Sequence, residues 1–215
     1  MYMPLSRHKN NKKALVPWPS LYSTSDNPLL AGRVYFEQQP TSNGCIVSIN
    51  LVGLEPYSVN AIHIHEKQFS NPSDIDKGCM SLGGHFNPTG EKHGSIFNGL
   101  GSERHSGDLC NNIQADHDGH VNIQFSDDRI SLDPRSKSFI GNRSVVIHSL
   151  SDDLGRQGRN VGSKGFRYYN QMTKSQFELV TGDKWSQQAV KKMMDGSLIT
   201  GNAGGRMACG NILMV

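Results

Sequence analysis

Apolar and polar positions alternate along much of this chain with the period of two that marks half-buried β-strands. Val121, Ile123 and Phe125 alternate with Asn122, Gln124 and Ser126. Val34 to Gln38 and Cys45 to Leu51 read as two more strands. Pro40-Thr-Ser-Asn-Gly44 between them ends in the Asn-Gly pair that favours a tight hairpin. Asn60 to His65, Ser144 to His148 and Met207 to Met214 complete the strand candidates, and Asp116-His-Asp-Gly119 predicts a second hairpin just before Val121. Residues 66–108, rich in Gly, Pro, Asn and His, read as a long loop.

Two stretches depart from this rhythm. Residues 1–31 read as an irregular arm: Ala14 to Val16 could begin a strand, but Pro17 and Pro19 would interrupt a ladder beyond it. Near the other end, Trp185, Ala189 and Met193 lie one helical turn apart. Asp183 suits an N-cap there, Lys191 and Lys192 fall near the C-terminus, and Gly196 suits a stop. A short amphipathic helix is predicted.

With 23 glycines, 9 prolines and 35% apolar residues in 215, the composition suits one all-β domain with long loops better than a helical bundle. A net charge of +3, with no Lys/Arg cluster interleaved with aromatics, excludes a nucleic-acid partner. No apolar run approaches the roughly 18 residues of a spanning helix. The basic N-terminal segment also lacks the apolar core of a signal peptide. Together these features predict a cytoplasmic protein with no membrane partner.

Six of the nine histidines, with one aspartate, are arranged as metal ligands would be. His63 and His65, two apart on a strand, project from one face. His85, His93 and His105 follow in the long loop, Asp108 comes three residues after the last of them, and His148 ends a strand. A single histidine of this kind is usually solvated or hydrogen-bonded in a core; the set together reads as a metal constellation. Imidazole suits copper and zinc, one added carboxylate is common at zinc, and an all-imidazole set suits redox-active copper. His8, His117 and His120 fall outside the pattern, the last two beside a turn where exposure is expected.

In order along the chain come His63-Ile-His65-Glu66, Gly83-Gly-His85-Phe-Asn-Pro88, Lys92-His93-Gly94, Arg104-His105-Ser-Gly-Asp108-Leu109, Val145-Val-Ile-His148, Asp152-Asp-Leu-Gly155 and Gly201-Asn-Ala-Gly-Gly-Arg206-Met-Ala-Cys209-Gly210. This series resembles the copper/zinc superoxide dismutase family. The resemblance runs from about Gly32 to the C-terminus. Residues 32–215 are therefore read as one domain behind an arm of residues 1–31, with an extra stretch at about 159–197 and a smaller one before Cys79.

The resemblance implies an all-β fold, an eight-stranded Greek-key barrel or sandwich with long metal-binding and electrostatic loops. It also implies an enzyme that converts superoxide into oxygen and hydrogen peroxide. Copper would be held by His63, His65, His85 and His148, and zinc by His85, His93, His105 and Asp108, with His85 bridging. Asp152 would orient one histidine of each set, Arg206 would attract the anion and Thr200 would narrow its channel. Cys79 and Cys209 would form a disulfide, leaving Cys45 and Cys110 free and buried. A homodimer is implied as well; the longer loop between Glu66 and Cys79, and polar Asn211 where an apolar interface residue is common, bear on its contact. The competing reading is a copper-delivery or metal-binding module on the same barrel. Such modules usually lose copper ligands and add a Cys-rich domain, whereas this chain has every ligand and no Cys-x-x-Cys.

Overall fold

The alternating segments assemble into two five-stranded antiparallel sheets in the computed structural model, which describes residues 12–20, 23–40, 42–71, 74, 77–96, 103–156 and 172–215. The first sheet runs β10 (Leu213–Met214), β1 (Lys13–Trp18), β3 (Ala31–Gln38), β4 (Cys45–Val52), β7 (Val121–Asp127). The second runs β2 (Ser23–Ser25), β9 (Arg206–Asn211), β8 (Ser144–His148), β5 (Val59–His65), β6 (Asn111–Gln114). The chain crosses between sheets from β4 to β5, from β6 to β7 and from β7 to β8, so that β7 returns beside β4 and β8 beside β5. This is Greek-key connectivity. Eight strands carry the barrel, and β2 and β10 are stubs of three and two residues.

β4 shows why the pattern folds this way. Cys45, Val47, Ile49 and Leu51 are buried while Asn50 and Val52 are exposed. They share one core with Val34 and Phe36 of β3, Ala14 and Val16 of β1, and Ile62, Ile64, Val145 and Ile147 of the second sheet. Each such side chain contributes about 1.5–3 kcal/mol on full burial. β5 and β8 are buried on both faces. Their second face, with His63, His65, Val146 and His148, lies under the long loops, and that places the site. Among the described residues no helix is long and apolar enough to cross a membrane.

Three expectations are corrected. Residues 13–25 of the arm carry strands: β1 continues through Pro17, which pairs with Arg33. β10 reaches only Ala14 and Leu15, so the missing proline N–H falls where β1 has a single ladder partner. The Asp116–Gly119 turn forms, with the Gly119 N–H donating to the Asp116 carbonyl at 3.1 Å. It joins β6 to β7, however, and these lie in different sheets, so it is a corner and not a hairpin.

The inserted helix is two helices. α1 (Lys174–Thr181) opens with a Thr173/Gln176 capping box and closes on Gly182 at φ 73°. α2 (Gln187–Thr200) is capped by Ser186 instead of Asp183 and ends at Gly201 instead of Gly196. Inside α2, a Cβ on Gly196 would meet the Asn202 amide oxygen at 2.4 Å, so this glycine permits a close approach. Ala189, Val190, Met193, Met194 and Ser197 form the packed face of α2. Trp185 precedes the helix, with the Lys174 ammonium 4.8 Å from its ring centre. Residues 159–171 of the extra stretch lie outside the described residues.

Candidate metal centre

β5 presents His63 and His65 on the outward face of the second sheet, opposite Val146 and Ser144 of β8, and His148 ends β8. The loop histidines are brought in by backbone bonds. Phe86 N–H donates to the Ile64 carbonyl (2.8 Å), Ile64 N–H to the Gly107 carbonyl (2.9 Å), and Gly107 N–H to the Phe86 carbonyl (2.8 Å). This lock lays His85 against His65 in an isolated bridge and brings His105 and Asp108 alongside. Position 107 requires glycine, because a Cβ would sit 2.2 Å from the Ile64 carbonyl oxygen. His93 is fastened by its N–H to the Leu198 carbonyl at the end of α2 (2.8 Å).

Ring nitrogens divide between support and donation. His63 Nε2 bonds Asp152 (2.7 Å), His65 Nδ1 bonds the Gly83 carbonyl (3.0 Å), His93 Nε2 bonds Asp152 (2.9 Å) and His148 Nδ1 faces the Gly204 carbonyl (3.4 Å). The other nitrogen of each ring is buried without a hydrogen-bond partner, as are His85 Nε2 and His105 Nδ1. Donor atoms of His63, His65, His85 and His148 lie within 4.8 Å of one another, and so do those of His85, His93, His105 and Asp108. The Nδ1 atoms of His85, His93 and His105 converge on one Asp108 oxygen at 2.9, 3.0 and 3.2 Å. One carboxylate oxygen cannot satisfy three such neighbours. Three nitrogens and an oxygen directed at one place suit a tetrahedral zinc, and four imidazoles suit copper, so both donor sets fit these metals. His85 belongs to both. Asp152 spans them too, one oxygen on His63 and the other on His93, and Asn112 grips the Asp152 peptide at its N–H (2.7 Å) and carbonyl (2.9 Å).

Electrostatics agree with that division. Burial, then the neighbouring His85, pushes His63 down to about 3 against the pull of Asp152, and burial takes His148 down to about 4. Burial lowers His65 and His85 as well. These four rings are therefore neutral near pH 7, as lone-pair donation requires. For His93 burial also lowers the value, but Asp108 and Asp152 outweigh it and raise the ring to about 10. The same pairings hold both carboxylates well below the usual range despite their burial. Two buried carboxylates thus call for positive charge at the three-histidine end.

Arg206 stands opposite His148 across a bulge in the β8–β9 ladder. Its half-buried guanidinium donates to the carbonyls of Cys79 (2.8 Å) and Gly83. The Gly83 carbonyl also meets His65, so one group orients both a ring of the four-histidine set and the cation. A Cys79–Cys209 disulfide, Cα–Cα 5.8 Å across 130 residues, ties the 3-10 turn Cys79–Leu82 to β9 and so places these carbonyls. Thr200 is the last residue of α2, and its hydroxyl donates to the Gly196 carbonyl (3.3 Å). Cys45 and Cys110 are free and buried, their thiols pushed up to about 12 by burial. His117 and His120 are exposed, and His8 lies outside the described residues.

Several supports escaped the sequence reading. Arg104 donates to the Asp108 carbonyl (2.9 Å) while paired with buried Asp127 (2.7 Å). Asn111, at φ 63°, donates to the Gly94 carbonyl (2.7 Å) beside His93. Asn211 turns inward: its Oδ1 accepts from Phe69 N–H and the Ser144 hydroxyl (both 2.9 Å), and its Nδ2 donates to the Phe69 carbonyl (2.8 Å). The Arg-His pair at 104–105 was a signal for the first. The asparagines carried none, because a polar residue in a strand ordinarily reads as solvent-facing.

Two donor sets sharing one imidazole place the chain among dinuclear metalloproteins on a Greek-key barrel. The family described as copper/zinc superoxide dismutase matches residues 30–170. The extracellular Cu-Zn superoxide dismutase of Brugia pahangi is 36% identical over 186 residues, 86% of this chain and 70% of that protein. Its Drosophila melanogaster namesake is 33% identical over 188 residues, 87% of this chain and 78% of that one. The Cu-Zn superoxide dismutase of Schizosaccharomyces pombe is 35% identical over 183 residues, 85% and 89% of the two chains. Among solved structures, that of the clock protein EA4 is similar over all of both chains, with a TM-score of 0.64 at 26% identity. The chain belongs to the copper/zinc superoxide dismutase family. It is an oxidoreductase that disproportionates superoxide, with copper and zinc as its cofactors.

Proposed function

We propose that copper is held by His63 Nδ1 and the Nε2 atoms of His65, His85 and His148, and zinc by the Nδ1 atoms of His85, His93 and His105 with Asp108. The observation that carries this assignment is the set of buried ring nitrogens without hydrogen-bond partners, divided into two groups that share His85. A copper-delivery module would not need the second group, yet every member of it is present and braced.

When bound, copper supplies one-electron oxidation and reduction, and zinc supplies fixed positive charge. Arg206, aimed by the Cys79 and Gly83 carbonyls, draws in the superoxide anion, and Thr200 narrows its approach. Asp152 accepts the Nε2 protons of His63 and His93 and so leaves each Nδ1 as the donor. Released from copper, His85 Nε2 would be free to take up a proton and so could give one of the two that peroxide needs, with water giving the other. Metal analysis tests the assignment: His85→Ala should deplete both metals, and His93→Ala chiefly zinc. Full occupancy of both metals in His85→Ala would overturn it.

A homodimer is proposed from the family. Polar Asn211 is no obstacle to it, because its amide is buried and bonded within the chain to Phe69 and Ser144. A monomer in sedimentation equilibrium at micromolar concentration would refute it. The comparisons do not support a cytoplasmic location. Two relatives are extracellular by name, and a Cys79–Cys209 disulfide is at home in an oxidising compartment.

A further inference from the structure

The helix that closes the inserted segment, α2, runs past it onto the metal centre. Leu198 lies among the last residues of α2, whose carbonyls lack partners inside the helix, and its carbonyl is the one that receives the His93 N–H (2.8 Å). Gly201, the αL cap of α2 at φ 66°, presses against Asp152, where a Cβ would fall 2.2–2.5 Å from the carboxylate atoms. Asp153 then laces the two segments together. Its carboxylate accepts the Ser197 hydroxyl (2.8 Å), the Asn202 amide (2.9 Å) and the Gly155 N–H (3.0 Å), and its own N–H donates to the Gly201 carbonyl (2.8 Å). The same Asn202 amide reaches back to the Met193 carbonyl (2.8 Å), through the space that Gly196 leaves open.

We propose that this C-terminal turn of α2, keyed on Asp153, is a clamp that positions Asp152 and His93, and that α2, which begins inside the insertion, thereby sets how tightly zinc is held. The proposal rests on the ligand sets given above. Its selectivity follows from topology. His63, His65 and His148 have their backbones fixed by the ladders of β5 and β8. His93 lies on a loop, and its peptide N–H is fixed from α2. Asp152 is held by Asn112 on one side and by the Asp153–Gly201 contact on the other. Loosening α2 therefore frees both the peptide and the ring support of His93, whereas His63 loses only its Asp152 contact and keeps its strand backbone, as His65 and His148 do.

The test uses the full-length, metal-loaded protein and two positioning variants. Asp153→Asn turns an amide NH2 toward groups that are themselves donors, and Ser197→Ala removes a single hydroxyl and keeps the fold intact. Zinc release to a chromophoric chelator is followed well below the unfolding midpoint, with copper release and the midpoint measured in parallel. Loss of a group supporting a metal ligand typically weakens binding by about 10–100-fold, so roughly tenfold faster zinc release is expected, with copper release accelerated far less and Ser197→Thr restoring the wild-type rate. Zinc release at the wild-type rate in both variants would overturn the clamp. So would equal acceleration of both metals in step with a lowered midpoint, which is the signature of a merely structural role. If His93→Ala released zinc no faster than wild type, the ligand assignment itself would fall, and the clamp with it.

Discussion

Replacing Asn211 with leucine tests whether an asparagine at the end of β9 fixes the loop that leads into the disulfide. The residue is 4% exposed and makes three hydrogen bonds, two to the Phe69 peptide and one to the Ser144 hydroxyl. Phe69 is itself 2% exposed, in a small cluster with Cys79, Leu82, Val146 and Cys209. Leucine has the same number and branching of side-chain heavy atoms, so the main effect is to strand the Phe69 N–H and carbonyl and the Ser144 hydroxyl. Each buried group left unpaired costs about 1–3 kcal/mol, and leucine burial returns about 2 kcal/mol at most. The net loss is therefore about 1–7 kcal/mol, centred on about 4, or a fall in melting temperature of roughly 10 °C at that centre for a protein of this size. Ser144→Ala removes only one of the three bonds and should lower the midpoint by about 2–4 °C. Calorimetry at matched metal content measures both, and thiol-exchange rates at Cys79–Cys209 should rise in the leucine variant as the loop loosens. A leucine variant within 2 °C of wild type, or a Ser144→Ala variant equally affected, would refute the reasoning.

Gly107→Ala should deplete both metals and lower stability by several kcal/mol, because a Cβ 2.2 Å from the Ile64 carbonyl must break the lock that brings in His85 and His105; normal metal content in a folded variant would contradict this. Arg206→Glu should lower kcat/KM at least tenfold more than Arg206→Lys, with copper content unchanged in both; a stopped-flow assay across ionic strength reads the difference, and equal rates would remove Arg206 from anion guidance. Stability of the demetallated protein should depend on pH from both sides. His63 and His148 are held near 3 and 4 against an ordinary 6.5, so the unfolded chain binds their protons first, and stability is complete above pH 6.5 and lost as the pH falls toward 3. His93, raised to about 10, contributes stability that is complete below pH 6.5 and lost as the pH rises through 10. Urea midpoints that are flat from pH 3 to 10 would contradict both assignments.

The parts of this protein that its sequence determines are those with a local physical cause. A strand between a core and a second environment must alternate, so β3, β4, β5 and β7 are legible from their side chains alone, and β8 is legible as a short, mostly apolar run. Metal chemistry admits few donor types, so His63, His65, His85, His93, His105, Asp108 and His148 are legible as a set, and all seven meet in two adjacent groups. What tertiary structure decided is which distant groups meet. Pro17 sits inside a strand because β10 stops at Leu15, a fact about a neighbour 196 residues or more away in sequence and not about residue 17. The turn at Asp116 forms as its residues require, but the sheet each flank joins is settled by packing. Gly196 reads as a helix stop and is instead a gap for Asn202, since glycine satisfies either demand. Asn211 and Phe69 are 142 residues apart, and only the closed barrel brings that amide to that peptide. A period of hydrophobicity records which face of a segment leaves water; it carries no record of what waits on that face, and at Asp152, His93 and Leu198 that is what shapes the metal centre.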